Sequence, residues 1–109
     1  MERVEFEDWP QINFNGLRIL IANTSDLTSQ GFAGAKEEEF ENTIIIFPKV
    51  EPWKFNMNGV VRKIKIAYLD ENYKKLEEFE MAAEEGTSLP PEGTKIAIEG
   101  LPEVLEKLD

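Results

Sequence analysis

An Asn-Gly dipeptide set between two alternating apolar segments is the feature that most restricts how this chain can fold. Asn and Gly both tolerate positive φ, which the two central residues of a type I′ hairpin turn require. Asn58-Gly59 follows Trp53-Lys54-Phe55-Asn56-Met57 and precedes a run from Val60 to Tyr68. A two-residue turn there pairs Met57 with Val60, Phe55 with Arg62 and Trp53 with Ile64. One face then carries Trp53, Phe55, Met57, Val60, Ile64, Ile66 and Tyr68 as core, and the other carries Lys54, Asn56, Val61, Lys63 and Lys65. A slip of one residue would exchange the faces, so the pattern specifies the register. Asp70 to Tyr73 reads as a four-residue turn, which pairs Ala67 with Leu76, Lys65 with Glu78, Lys63 with Glu80 and Ile64 with Phe79. The expectation is an antiparallel three-stranded meander over 50–81.

The flanking segments extend this mostly β reading. Val4-Glu5-Phe6-Glu7 alternates as an exposed edge strand would, followed by Pro10 and the Asn15-Gly16 turn signal. Leu17 to Ile21 and Thr43 to Phe47 are apolar strands, the second ended by Pro48. Between them a Ser/Thr/Gly-rich stretch permits a helical turn starting after Thr24 or Ser25, and Lys36 to Glu41 is a charged connector. Ser88 to Gly93 is a loop and Thr94 to Glu99 a final strand. Leu101, Val104, Leu105 and Leu108 fall at i, i+3, i+4 and i+7, the stripe of a short amphipathic helix, with Pro102 suited to its first turn.

The 109 residues contain no His and no Cys, which removes zinc fingers, disulfide frameworks, catalytic thiols and imidazole bases in one step. Any chemistry must come from carboxylates, Lys, Tyr, Ser or Thr. The net charge of −10 repels polyphosphate backbones and anionic headgroups, so neither nucleic acid nor membrane is expected as a partner. No apolar run approaches the roughly 20 residues that span a bilayer, and residues 1–22 do not have signal-peptide form. These observations point to a single cytoplasmic domain over residues 1–109, with a lean toward thermophily from the abundance of Glu and Lys.

Lys54, Lys63 and Lys65 form the one positive patch that the register predicts, with Lys54 opposite Lys63, and Asn56 shares their face; these four are the candidate ligand- or partner-binding residues. Glu80 beside Lys63 and Glu78 beside Lys65 neutralise the patch internally, so a bound anion is not expected. Glu37, Glu38, Glu39 and Glu41 lack the spacing of a calcium loop and read as a solvated connector, as do Glu77, Glu78 and Glu80 as a solvated strand. Trp9 and Trp53 are read as core rather than as sugar or partner anchors. Gly31 and Gly34 do not make a phosphate loop. No metal ligands, catalytic residues or cofactor are assigned.

Several segments resemble the motifs of one prokaryotic family. Ala22-Asn23-Thr24-Ser25-Asp26 through Gly31-Phe32-Ala33 is similar to its Ala-Asp-Thr-Pro-Glu-Glu-Arg-x-x-Gly-Leu-Met segment. Asn42 to Pro48 is similar to Gly-Met-Leu-Phe-x-Phe-Pro, Phe55 to Val60 to Phe-Trp-Met-Lys-Asn-Thr, and Lys63 to Asp70 to Pro-Leu-Asp-Ile-x-Phe-Ile-Asp. The family is the uncharacterised one called domain of unknown function 192, and the spacing from Ala22 to Asp70 is gapless. The chain departs from it at Ala33, Asn56, Gly59, Lys63 and Lys65, so only Gly31, Phe55, Met57 and Asp70 are carried over as matching positions. The resemblance implies a small barrel or jelly-roll-like β-sandwich with short helices and brings no catalytic role. The functional expectation is a non-catalytic module binding a small ligand or a protein; the alternative is a small carboxylate-dependent hydrolase acting on carbohydrate, which would need two carboxylates about 5–10 Å apart across a concave cleft.

Overall fold

The chain contains two Asn-Gly dipeptides, and only the first builds a hairpin of the expected kind. In the computed structural model, which describes residues 2–108, Asn15 and Gly16 both take positive φ, 49° and 79°, and join β1 (Gln11–Phe14) to β2 (Leu17–Ile21) with Phe14 opposite Leu17. Strand β2 then runs parallel to β3 (Thr43–Phe47). A parallel pair needs a crossover, and here it contains α1 (Ser25–Gln30), where Thr24 Oγ1 caps the helix by accepting from the Leu27 N–H at 3.2 Å. A 3-10 turn at Glu37–Phe40 follows and buries Phe40.

The remaining strands are β4 (Phe55–Asn56), β5 (Ile64–Leu69), β6 (Lys75–Met81), β7 (Thr87–Ser88) and β8 (Ile96–Gly100). Six of the eight strands among the described residues form one mixed sheet in the order β1-β2-β3-β8-β5-β6, and β4 pairs with β7 in a small second sheet. The last strand in sequence therefore lies in the middle of the large sheet, between β3 and β5. Its register sets Glu99 between Ile45 and Ile66, Ala97 between Phe47 and Tyr68, and Gly100 between Ile44 and Lys65. Because paired residues share a face, Leu20, Ile45, Phe47, Ala97, Glu99, Ile64, Ile66, Tyr68 and Met81 all face one way, and all of them are buried. Against the other face, beside Gly100 and Ile44, packs α2 (Pro102–Leu105) with Pro102 at its start. Leu101, Val104 and Leu105 are buried. Leu108 is exposed, because the helix tightens to a 3-10 turn at Glu106–Leu108 and the stripe rotates off the sheet.

The mostly β class with a short C-terminal helix is what the residue pattern predicts. The large sheet does not close into a barrel among the described residues, since β1 and β6 end it. Three local expectations are corrected. Val4 to Glu7 is not a strand: it leads into a 3-10 turn at Phe6–Asp8, and its backbone is held by α1, with Gln30 Oε1 accepting from the Val4 N–H at 2.7 Å and Gln30 Nε2 donating to Val4 O at 2.8 Å. Trp9 is core, as read, and its indole also donates to Val4 O.

The second correction is the 53–64 hairpin. Met57 and Val60 do meet, through a turn in which the Val60 N–H donates to Met57 O at 2.9 Å. Of its two central residues only Gly59 has positive φ, the pattern of a type II turn, whose twist splays the flanking strands. So β4 leaves to pair with β7, Phe55 opposite Ser88, and Trp53 is 67% exposed rather than core. There is accordingly no three-stranded meander. The third correction is the register of β5 and β6, which form the expected hairpin shifted by two residues: Ile64 faces Met81, Ile66 faces Phe79 and Lys65 faces Glu80.

Candidate functional site

The crossover helix α1, the end of β3, the loop before β4 and the C-terminal end of β8 surround a cleft of ≈ 560 Å³. Phe47 and Phe55 form an aromatic wall, their rings edge-on with centroids 5.2 Å apart, and Phe55 in turn packs edge-on to Tyr68 at 6.0 Å. Trp53, Lys49, Glu51 and Lys54 lie along the mouth, while Asn23, Thr24, Ser25 and Thr28 line the helix side.

Glu99 is the acidic side chain buried in this cleft. It is 4% exposed, its cross-strand neighbours Ile45 and Ile66 are both apolar, and it lines the cleft. Among the described residues no hydrogen bond or ion pair reaches its carboxyl. A buried charge without partners is costly and the group responds by holding its proton; burial pushes the Glu99 carboxyl up from the usual range to about 8. Tyr68 is shifted as well. Burial raises its phenol to about 12, against the Ser88 bond and with a small contribution from the Glu99 charge. Its hydroxyl donates to Ser88 Oγ at 2.7 Å, which ties the small sheet to the large one beside the cleft.

Gly31 allows the helix to end over the carboxyl. Its backbone is at φ 50°, ψ −130°, a conformation in the mirror-image region that glycine adopts freely and other residues do not. A Cβ at this position would stand 3.5 Å from Glu99 Oε1 and 3.8 Å from the Phe47 ring.

The structure separates the four sequence candidates. Lys54 and Asn56 line the cleft, and Asn56 Oδ1 is engaged by the Asn58 N–H at 3.0 Å. Lys63 lines a different, shallow hollow with Glu80 and Pro102. Lys54 therefore does not face Lys63, because the ladder that would have paired them does not form. The predicted ion pairs nevertheless exist: Lys63 to Glu80 at 3.6 Å and Lys65 to Glu78 at 3.3 Å. A two-residue shift leaves these long side chains within diagonal reach. Lys75, hydrogen-bonded at 2.9 Å, and Lys65 hold Glu78 below the usual carboxylate range.

Of the positions matched to the family motifs, Gly31 and Phe55 line the cleft, Met57 is buried in the core, and Asp70 organises the β5–β6 turn. The Glu37–Phe40 turn spends its acids locally, with Glu39 accepting from the Lys36 N–H and Glu41 pairing with Arg62 at 2.9 Å. Among the described residues no group of three or more His, Cys, Asp or Glu is arranged to hold a metal ion, and no helix is long and apolar enough to cross a membrane.

Glu99 is the residue that the sequence reading passed over. The available signal is a lone acid inside Ile96-Ala97-Ile98-Glu99-Gly100-Leu101, at what the residue pattern reads as the end of a strand. With the strand continuing to Gly100 and lying centrally in the sheet, the same residue becomes a buried group.

Comparison with known proteins yields the fold and nothing finer. No family profile matches the sequence, and no curated protein matches it. The chain is similar to the crystal structure of a protein of unknown function from Novosphingobium aromaticivorans, with a TM-score of 0.68 and 14% identity over 99% of this chain and 92% of that one. At that identity the shared property is the architecture: a mostly β domain with this strand arrangement.

Proposed function

We propose that this protein is a non-catalytic domain that binds a small molecule in the cleft between α1 and the loop before β4. The observation that carries this reading is Glu99, a buried carboxyl with unused hydrogen-bonding capacity in a cleft that has Phe47 and Phe55 as one wall and the polar side chains of α1 on the other. Ligand pockets combine apolar walls with few convergent polar groups, and pKa-shifted residues mark them more often than chance. The absence of His and Cys supports binding over catalysis. The resemblance to domain of unknown function 192 belongs to this proposal too; what supports it is the unbroken spacing from Ala22 to Asp70, with Gly31 and Phe55 both at the cleft.

The hydrolase alternative retains one supporting observation, since Glu51 and Glu99 line the same cleft. One experiment separates the readings. A library of small fragments is screened by amide chemical-shift mapping, and the protein is incubated with aryl glycosides. Binding predicts shifts converging on α1, residues 47–56 and β8, with no sugar released. Shifts scattered over the surface, or centred on Lys63 and Glu80, overturn the site; glycoside turnover abolished in Glu99→Gln replaces binding with hydrolysis.

A further inference from the structure

Resting on that reading of the cleft, we propose that its ligand is a small monoamine with an apolar or aromatic body, whose ammonium group pairs with the Glu99 carboxylate while the body lies against Phe47, Phe55 and Trp53.

Glu99 lacks any partner for its carboxyl among the described residues. An ionised carboxylate offers about four acceptor positions, and no donor from the protein occupies any of them. Ile45 and Ile66 flank it within the sheet, and Gly31 presents no side chain above it. Tyr68, the nearest phenol, directs its hydroxyl to Ser88. A ligand with several N–H donors therefore meets an unoccupied acceptor, and a charge-assisted bond of this kind is about twice as strong as a neutral one. The walls favour the same chemistry, because the negative faces of aromatic rings attract cations. At the scale of the whole chain, the charge of −10 raises the local concentration of cations and lowers that of anions.

The mouth limits the ligand to one cationic group. Lys49 and Lys54 both line it, and Glu51 lies between them in sequence. A second ammonium on the ligand would meet these lysines, whereas an uncharged tail, or a carboxylate at the far end, would not be repelled. Diamines and polyamines are thus disfavoured. The charged groups lining the cleft around the bound ammonium are Glu99 from β8 and, at the mouth, Lys49, Glu51 and Lys54; Tyr68 from β5 lies behind Phe55 with its hydroxyl on Ser88.

The test uses three probes of equal shape: 2-phenylethylamine, 2-phenylethanol and phenylacetate, titrated calorimetrically into the wild-type protein and Glu99→Gln near neutral pH in buffers of differing ionisation enthalpy. The expected result is binding of the amine in preference to the alcohol and the acid, with release of about one proton per amine bound as Glu99 ionises. Glu99→Gln should weaken the amine by about tenfold to a hundredfold and abolish the proton release, while its amide spectrum stays that of a folded domain. Equal or better binding of the alcohol by the wild type, or amine binding without proton release, overturns the amine assignment and leaves the cleft as the site. If no probe binds at millimolar concentration, the amine assignment falls; if fragments of every class also fail to shift the cleft, the binding reading falls with it.

Discussion

Glu99 concentrates the conflict between stability and function at a single residue. Its neighbours along the sheet row are Ile45 and Ile66, so an apolar side chain of similar size would fill the position without a desolvation penalty, and an amide would carry a smaller one than a carboxylate. The sign of the consequence follows from where the proton sits. Below about pH 4.5 both the folded and unfolded chains hold it. Between that value and about 8 the unfolded chain has released it and the folded chain has not, so stability falls as the pH rises, by about 1.4 kcal/mol per unit. Above about 8 both are ionised and the slope vanishes. Glu99→Gln resembles the protonated side chain at every pH. Urea unfolding should therefore show the variant close to wild type near the acidic limit and more stable by several kcal/mol at mildly alkaline pH; parallel stability profiles for the two proteins would contradict this account. The sequence alone could not mark Glu99 out, because a charged residue within an apolar strand becomes informative only when the neighbouring strands are known.

The elements show which local signals survive packing. Asn15-Gly16 and Asn58-Gly59 carry the same turn chemistry, but only the first has two strands of matching length beside it. At the second, tertiary partners take the backbone groups: the Gly34 N–H donates to Gly59 O at 2.9 Å, the Gly59 N–H to Glu84 Oε1 at 3.1 Å, and the Glu84 N–H to Val60 O at 2.9 Å. Strands β2 and β3, the hairpin of β5 and β6, and the start of α1 were legible because each carries its own periodicity or cap. Two-residue strands such as β4 and β7 have no period to read. The β5–β6 register moved by two residues, a shift that alternation cannot detect because even slips keep every side chain on its face. The turn decides it. Asp70 Oδ1 accepts from the N–H groups of Asn72 at 2.8 Å and Lys74 at 3.0 Å, Tyr73 takes φ 64°, and the ladder shifts register between Tyr68 and Leu69. Asp70→Ala removes both bonds and should lower stability by about 1–2 kcal/mol, read by chemical denaturation, while leaving ligand binding at the cleft intact. A loss of binding in that variant would mean the turn has a role beyond the hairpin.

At the scale of the molecule, the site draws on residues 22–33, 47–60 and 99, segments that meet only because β8 inserts between β3 and β5. That insertion is a long-range choice with no local signature, which explains why the mostly β class was legible and the cleft was not. The negative charge has a divided role. On β6 the exposed acids Glu77, Glu78 and Glu80 line an edge strand, where charge discourages pairing with other chains, and Lys63, Lys65 and Lys75 partly compensate them. In the cleft the same sign becomes a single buried acceptor. The central claim is that this acceptor stands unpartnered until a ligand reaches it, and the most direct measurement is an NMR titration of the Glu99 side-chain carboxyl carbon, with and without saturating 2-phenylethylamine. The account predicts a midpoint near 8 in the free protein and a marked fall when the amine is present; a midpoint in the ordinary glutamate range in the free protein would contradict it.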